Sequence, residues 1–321
     1  MRTSRTKVAL LSARAYARLP TEQANRRTRN IDRCSTADIV RLINEEDRRV
    51  PLAVAKVSRA IARGVDAIAA SLAAGGSILF LGAGTSGRIA VLEAAECPPT
   101  FNTSRREIRA EIAGGPRSVF RAKEGAEDDP VLGRRSVAGV YRGDVVVGVA
   151  ASGATPFVRE ALAEARRRGA VTLLVTSNGR PHGVKADIVI VPDVGPEVVT
   201  GSTRLKSGTA AKLVLNTLTT GAMIRIGKVY DHWMVDLKPT SRKLRLRAER
   251  ITADLGRVTP ARARSLFRAS GGSVKLAVVM ARRRLSARGA RKVLACSAGS
   301  LRRALLEDAF MKGSHAKRSG A

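Results

Sequence analysis

Residues Ser77-Ile78-Leu79-Phe80-Leu81 run straight into Gly82-Ala83-Gly84-Thr85-Ser86-Gly87, an apolar strand pattern ending in a small, hydroxyl-rich loop. The pattern returns farther along the chain. Asp144-Val145-Val146-Val147-Gly148-Val149-Ala150 leads into Ala151-Ser152-Gly153-Ala154-Thr155-Pro156. Each loop opens helix-forming sequence. Backbone N–H groups and hydroxyls at a helix start surround an anion well. One such loop is a weak sign, but two imply a sugar-phosphate pocket. Gly84, Thr85, Ser86, Ser152 and Thr155 are then its phosphate and sugar-hydroxyl ligands. The plain role for these hydroxyls is helix capping, which uses the same N–H groups.

Working outward, strand, loop and helix alternate through most of residues 77–226. That alternation predicts an α/β fold, a parallel sheet flanked by helices on both faces. Apolar residues at helical spacing (Leu52, Val57, Ile61, Val65, Ile68, Leu72) predict one long helix from Pro51 to Ala74, stopped at Gly75-Gly76. A helix over Ser86–Glu96 is expected to break at Pro98-Pro99. Glu111–Ala113, Ala170–Val175 and Ile188–Val191 read as further strands. Ser118–Glu127, Thr155–Arg168 and Thr203–Ile226 read as helices. From Lys243 the strand signal vanishes, and short helices with glycine breaks suggest a small helical domain. The expected organisation is a disordered basic extension over residues 1–20, an α/β domain with N-terminal helices over 21–240, and a helical domain over 241–321. The polar last residues, 313–321, are expected to fray.

The chain has 321 residues, 44% of them hydrophobic, enough for a real core. No run approaches the roughly 18–20 apolar residues of a membrane span. Cys34, Cys97 and Cys296 lie far apart, and His182, His232 and His315 are scattered, so neither a metal site nor a disulfide framework is expected. A reducing, cytoplasmic setting follows. The net charge is +31, and residues 201–321 hold 27 Lys and Arg against 6 Asp and Glu. Such a basic half raises the question of nucleic acid. Aromatics are only 3% and no helix-turn-helix, zinc-finger or RNP pattern is present, so arginine-rich solvated helix faces are the plainer reading.

Gly82-x-Gly84-x-x-Gly87 also matches the dinucleotide fingerprint, which wants an acidic ribose partner about 20 residues on. Glu107 stands in the arginine-rich stretch Ser104–Arg109 and is a poor partner. Thr85 and Ser86 suit a phosphate monoester better, and a single-fingerprint domain leaves Ser152 and Thr155 without a role. A nicotinamide cofactor is not expected.

Further segments carry a specific resemblance. They are Thr21-Glu22-Gln23 through Thr28-Arg29-Asn30-Ile31-Asp32-Arg33, Leu81–Arg88, Ala95-Glu96-Cys97-Pro98-Pro99-Thr100, Ile112-Ala113-Gly114-Gly115 and Glu124-Gly125-Ala126-Glu127-Asp128. The longest is Gly195-Pro196-Glu197-Val198-Val199-Thr200-Gly201-Ser202-Thr203-Arg204-Leu205-Lys206-Ser207-Gly208-Thr209, followed by Lys212 and Asn216; Gly272–Ala277 fits as well. Nearly collinear from about residue 21 to 306, the chain resembles the N-acetylmuramic acid 6-phosphate etherases, sugar-isomerase-fold proteins related to the glucokinase regulatory protein.

The resemblance implies a lyase that cleaves the D-lactyl ether by elimination and then adds water. It gives N-acetylglucosamine 6-phosphate and D-lactate in cell-wall amino-sugar recycling. Two carboxyl groups in different protonation states meet the need for a base and an acid. By resemblance Glu96 is the proton donor and Glu127 the base. Glu96 is expected in a water-poor turn beside Cys97-Pro98-Pro99. Glu124 is expected to share a helix face with Glu127 and to bind substrate. Ser202, Thr203, Arg204 and Lys206 are expected to hold the anionic end of the substrate, and Glu197 to position the sugar. Lys243, by resemblance, reaches a partner subunit's site, so a homodimer is implied; no metal or organic cofactor is.

Three departures stand out. Ala154 replaces the arginine of the family's Ala-Ser-Gly-Arg-Thr-Pro, Asp231-His232-Trp233-Met234-Val235-Asp236 replaces Asn-Leu-Met-Val-Asp, and Ser241 takes the asparagine's place in Thr-Asn-x-Lys-Leu. The first removes a charge near the pocket. The rival readings are a non-catalytic sugar-phosphate sensor, a nucleic-acid-associated protein using the basic C-terminal third, and an isomerase or deaminase on the same fold acting on glucosamine 6-phosphate. Retention of Glu96 and Glu127 argues against the sensor.

Overall fold

Apolar β-branched runs bounded by glycine and aspartate build the sheet that organises this chain. A computed structural model describes residues 13–179 and 183–306. The first twelve residues of the basic extension, His182, His315 and residues 313–321 lie outside the described residues. The chain divides into two compact units, Met1–Ala95 with Arg105–Thr220, and Glu96–Ser104 with Gly221–Ala321. Ala13–Tyr16 (α1) and a 3₁₀ turn at Pro20–Glu22 are ordered where the sequence reading expects a disordered extension. Leu19, 2% exposed, anchors this stretch.

In the first unit, helices α2 (Thr36–Asp47), α3 (Arg49–Lys56) and α4 (Ser58–Ala73) precede the sheet. Then follow β1 (Ile78–Gly82), α5 (Gly84–Phe101), β2 (Ile108–Ile112), α6 (Pro130–Ser136), β3 (Val145–Val149), α7 (Pro156–Arg167), β4 (Val171–Val175), β5 (Ile188–Ile190) and α8 (Lys206–Arg225), with the ends of α5 and α8, from Glu96 and Gly221, counted in the second unit. The five strands are parallel, in the order β2-β1-β3-β4-β5. Every residue of β1 and β3 is buried, as strands covered on both faces require. A core of Leu79, Leu81, Val146, Phe157, Leu162 and Leu174 fills the space under α7.

Strand order reverses between β1 and β3, which are paired in register from Ile78 beside Val145 to Gly82 beside Val149. In open α/β sheets the crevice beyond the carboxyl ends of the strands at such a reversal is where ligands bind. Both hydroxyl-rich loops leave the sheet at this point.

Three helix expectations change. The stretch 51–74 is two helices, because Val57, at φ −103° and ψ 16°, leaves helical geometry between α3 and α4. Helix α5 does not break at Pro98-Pro99 but runs through them to Phe101. Neither proline has an N–H to donate to the preceding turn, and Asn102, at φ +52°, ends the helix soon after them. Residues 118–127 are not a helix. Two 3₁₀ turns, Pro116–Val119 and Ala126–Asp128, stand apart, and Gly125 at φ +70° prevents a continuous helix.

The second unit has its own core of Val235, Ile251, Phe267, Val278, Val279 and Leu301. Its hairpin, β6 (Val229–Tyr230) and β7 (Trp233–Met234), turns through Asp231 at φ +53°. Strands of two residues carry no alternation to read. Helices α9 (Arg242–Gly256), α10 (Pro260–Ala269), α11 (Val274–Arg283), α12 (Ala287–Cys296) and α13 (Leu301–Leu306) follow. The first four start at Ser241, Thr259, Ser273 and Ser286, whose hydroxyls accept an N–H of the first turn.

Candidate functional site

Gly82 and Gly87 let β1 and α5 meet closely enough to form the first loop. A Cβ on Gly87 would stand 2.5 Å from Ile112 Cγ1 and 2.6 Å from the Gly82 carbonyl oxygen. Gly84, at φ +52°, takes a left-handed conformation that a side chain would strain. Thr85 and Ser86 follow, half-buried, in the first turn of α5. The second loop leaves β3 at Ala150. Thr155 precedes α7 without its hydroxyl capping the helix, so that hydroxyl is not spent on the role expected of a capping threonine. Ser152 Oγ accepts the Ala154 N–H at 3.3 Å, and Asn178 Nδ2 donates to the Ser152 carbonyl at 2.9 Å.

The two loops meet the start of α8. A narrow cavity between the strand ends is lined by Ser86, Ala151, Thr176, Ser177 and Ser207. Ser207 Oγ is buried with no hydrogen-bond partner among the described residues. Sequence reading quotes Ser207 within the long motif but gives it no role in the site. The signal was the hydroxyl inside the long motif, hidden because one serine at a helix start reads as a cap. A Cβ on Gly208 would lie 3.5 Å from both the Thr203 carbonyl and the Thr85 methyl, so the turn before α8 abuts the first loop. Ser202 and Thr203 are half-buried there and Arg204 is exposed.

Lys206 and Glu197 play other parts than expected. The Lys206 side chain is wholly buried, and its Nζ donates to Glu46 Oε2 at 2.6 Å and to the Val194 carbonyl at 2.8 Å. It holds α2 to α8 and is not presented to a substrate. Glu197 is also wholly buried, its carboxylate accepting the N–H groups of Lys206 and Ser207 at 2.9 Å each. It caps α8, where the helix dipole favours negative charge, instead of positioning a sugar. Glu46 is the centre of this network, with Asn25 Nδ2 at 2.9 Å and the Arg27 guanidinium also donating to it. Burial pushes its pKa up, but hydrogen bonds from Arg27, Lys206 and Asn25 outweigh that and bring it down to about 2.

The same N-terminal stretch is tied to the loop before α8. Thr28 Oγ1 donates to the Val198 carbonyl at 2.8 Å, and the Gly201 N–H donates to the Thr21 carbonyl at 3.1 Å. It carries Tyr16 into electrostatic reach of Glu22 and Glu127. Partial burial first, then the Glu22 carboxylate, raise the Tyr16 phenol above its ordinary pKa, with Glu127 adding to the effect.

Glu127 lies in the 3₁₀ turn Ala126–Asp128, with Glu124 exposed in the loop before it, so the two share no helix face. Glu127 is itself exposed, but neighbouring protein displaces part of its hydration, and this desolvation, helped by the adjacent Asp128 carboxylate, raises its pKa above the ordinary glutamate value. Glu96 is exposed on the continuing helix α5 rather than enclosed in a water-poor turn. Among the described residues, no group of three His, Cys, Asp or Glu is placed to hold a metal ion.

Residues 60–166 match the family model of the glucokinase regulatory protein N-terminal SIS domain. An N-acetylmuramic acid 6-phosphate etherase of Symbiobacterium thermophilum is 51% identical over 82% of this chain and 88% of its own length. One from Vibrio campbellii is 46% identical over 94% of this chain and 98% of its own. The chain belongs to the N-acetylmuramic acid 6-phosphate etherase family. A solved phosphoheptose isomerase from Francisella tularensis is similar at 19% identity and a TM-score of 0.47, covering 60% of this chain and 100% of its own.

Within this etherase chain, the replacement at Ser241 has a structural role: its hydroxyl accepts the Leu244 N–H at 3.2 Å and starts α9, with Lys243 exposed beside it. Two other family-like segments meet through Lys275, which donates to Asp236 at 3.0 Å. Burial lowers the Lys275 pKa although Asp236 opposes the shift. No helix among the described residues is long and apolar enough to cross a membrane.

Proposed function

We propose that this chain is a carbon–oxygen lyase acting on N-acetylmuramic acid 6-phosphate in the cytoplasm, during amino-sugar recycling. The observation that carries the reading is 51% identity to a named etherase over most of both chains. The hydroxyl-lined crevice where β1 and β3 part supports it, since helix starts and hydroxyls suit a sugar phosphate. Ser86, Ser152 and Thr155 bind the phosphate and sugar hydroxyls with Gly84, Thr85, Ser202 and Thr203. Ser207, with its unpartnered hydroxyl, joins them.

Glu127 takes the proton from C2 of the open-chain sugar. The released electron pair forms the C2–C3 double bond as the C3–O bond breaks, and Glu96 gives the departing lactate oxygen its proton. Water then adds across the double bond: its oxygen goes to C3, its extra proton returns to Glu96, and Glu127 gives its proton back to C2. The products are N-acetylglucosamine 6-phosphate and D-lactate. A raised pKa makes the Glu127 carboxylate a stronger base. The rate therefore falls as pH drops through that raised value. Lys243 of a second copy completes the site in a homodimer.

The test is D-lactate release from N-acetylmuramic acid 6-phosphate. Glu127→Gln and Glu96→Gln should each lower the rate by about 10²–10⁴-fold while sugar-phosphate binding persists. A wild-type protein that binds the sugar phosphate but releases no lactate overturns the reading.

A further inference from the structure

Outside the hydroxyl-lined crevice lies a cavity of about 870 Å³, on the carboxyl-end side of β4 and β5. Its walls include Arg14 and Arg18 on one side and Ser177 and Asn178 on the other. Ser177 also lines the inner crevice, so the two spaces share a wall. Asn178 is bonded to the second hydroxyl loop through the Ser152 carbonyl, which fixes that wall to the phosphate-binding machinery.

The two arginines face this space without a carboxylate partner among the described residues, and both are exposed. Asp193, an acidic residue on the same wall, accepts the Gly195 N–H at 3.1 Å. The segment bearing the arginines does not hang free. Leu19 is buried behind it, Gln23 Nε2 donates to the Ala17 carbonyl at 2.6 Å, and the Thr21 carbonyl accepts the Gly201 N–H. It also holds Tyr16 within electrostatic reach of Glu127. The cavity thus adjoins the crevice.

The substrate named for the relatives carries two acids, a phosphate and a carboxylic acid. The inner crevice offers hydroxyls and helix starts, which suit the phosphate. Among the described residues that line it there is no cation for the second acid, and Ala154 leaves none in the second loop. Guanidinium groups match a planar carboxylate with paired, charge-assisted hydrogen bonds. We propose that Arg14 and Arg18 form the subsite for the carboxylate of the lactyl ether, supplied by the N-terminal segment instead of the loop after β3. This rests on the etherase reading above. It makes the two arginines specificity-determining residues, ones that separate the ether substrate from the de-lactylated product.

The test uses the full chain carrying Glu127→Gln, so that substrate is not consumed, with and without Arg14→Gln and Arg18→Gln together. Calorimetry is run with N-acetylmuramic acid 6-phosphate and with N-acetylglucosamine 6-phosphate, which lacks the carboxylate. Loss of charged hydrogen bonds should weaken the first ligand by about tenfold or more and leave the second within about twofold, a change too small for one lost hydrogen bond. Unchanged binding of the second ligand also shows that the variant is folded. Should the double variant not fold, Arg14→Gln and Arg18→Gln singly carry the same comparison. Equal weakening of both ligands, or of neither, overturns the subsite. A Glu127→Gln parent that binds neither sugar, with a wild type that releases no lactate, overturns the etherase reading instead.

Discussion

Glu46 shows how one carboxylate ties separate parts of the chain together. It is 1% exposed and receives donors from Asn25, Arg27 and Lys206. Its pKa, held at about 2 against an ordinary 4.5, has a consequence for acid stability. A carboxylate with a depressed folded pKa stabilises the protein fully above its unfolded value and loses that contribution as pH falls through the folded one. Glu46→Gln should therefore cost about 3 kcal/mol or more at pH 7, and the gap to wild type should close between about pH 4.5 and pH 2. Urea unfolding at pH 7 and pH 3 measures both ends; a gap that stays constant would remove Glu46 from the acid response. None of this was legible in the sequence. Lys206 sits in a motif that resembles a ligand-binding segment, and an isolated lysine before a helix reads as exposed. Only the fold reveals a partner 160 residues away.

At the level of elements, what could be read was whatever local pattern dictates. Continuous valine and leucine runs gave the strands because a doubly covered parallel sheet needs them. The two hydroxyl loops were legible as a pair, and the fold brings them to one crevice. The turn around Glu127 was not, since Gly125 in a left-handed conformation overrides the helical spacing of its neighbours. The end of α5 was missed because proline rules predict a break, and the helix instead runs two residues past Pro99. Close contact between β1 and α5 yields a sharp prediction. Gly87→Ala puts a methyl against Ile112 Cγ1 and the Gly82 carbonyl, so backbone must shift. Overpacking of this kind costs about 1–3 kcal/mol and displaces Thr85 and Ser86 with the helix start. Thermal melts and sugar-phosphate binding should both suffer. A variant as stable as wild type would show that the loop is more pliant than its contacts suggest.

For the whole molecule, charge dominates. A net +31 with a basic C-terminal portion implies self-repulsion at low ionic strength. Raising salt from about 10 mM to about 150 mM shortens the screening length from about 30 Å to about 8 Å. The melting temperature should rise over that range, in scanning calorimetry, and a flat response would mean that local ion pairs already balance the excess. Size and connectivity add a second consequence. The buried carboxylate of α2 and its lysine on α8 are made at different times. During synthesis at about 5–20 residues per second, the 160 residues between them take roughly ten to thirty seconds to emerge. Through that interval α2 exists on a nascent chain without its anchor, and the N-terminal turns at Asn25 and Thr28 have no Val194–Gly201 loop to grip. Helix α2 and the turns before it, made early, are thus among the last elements to find their place.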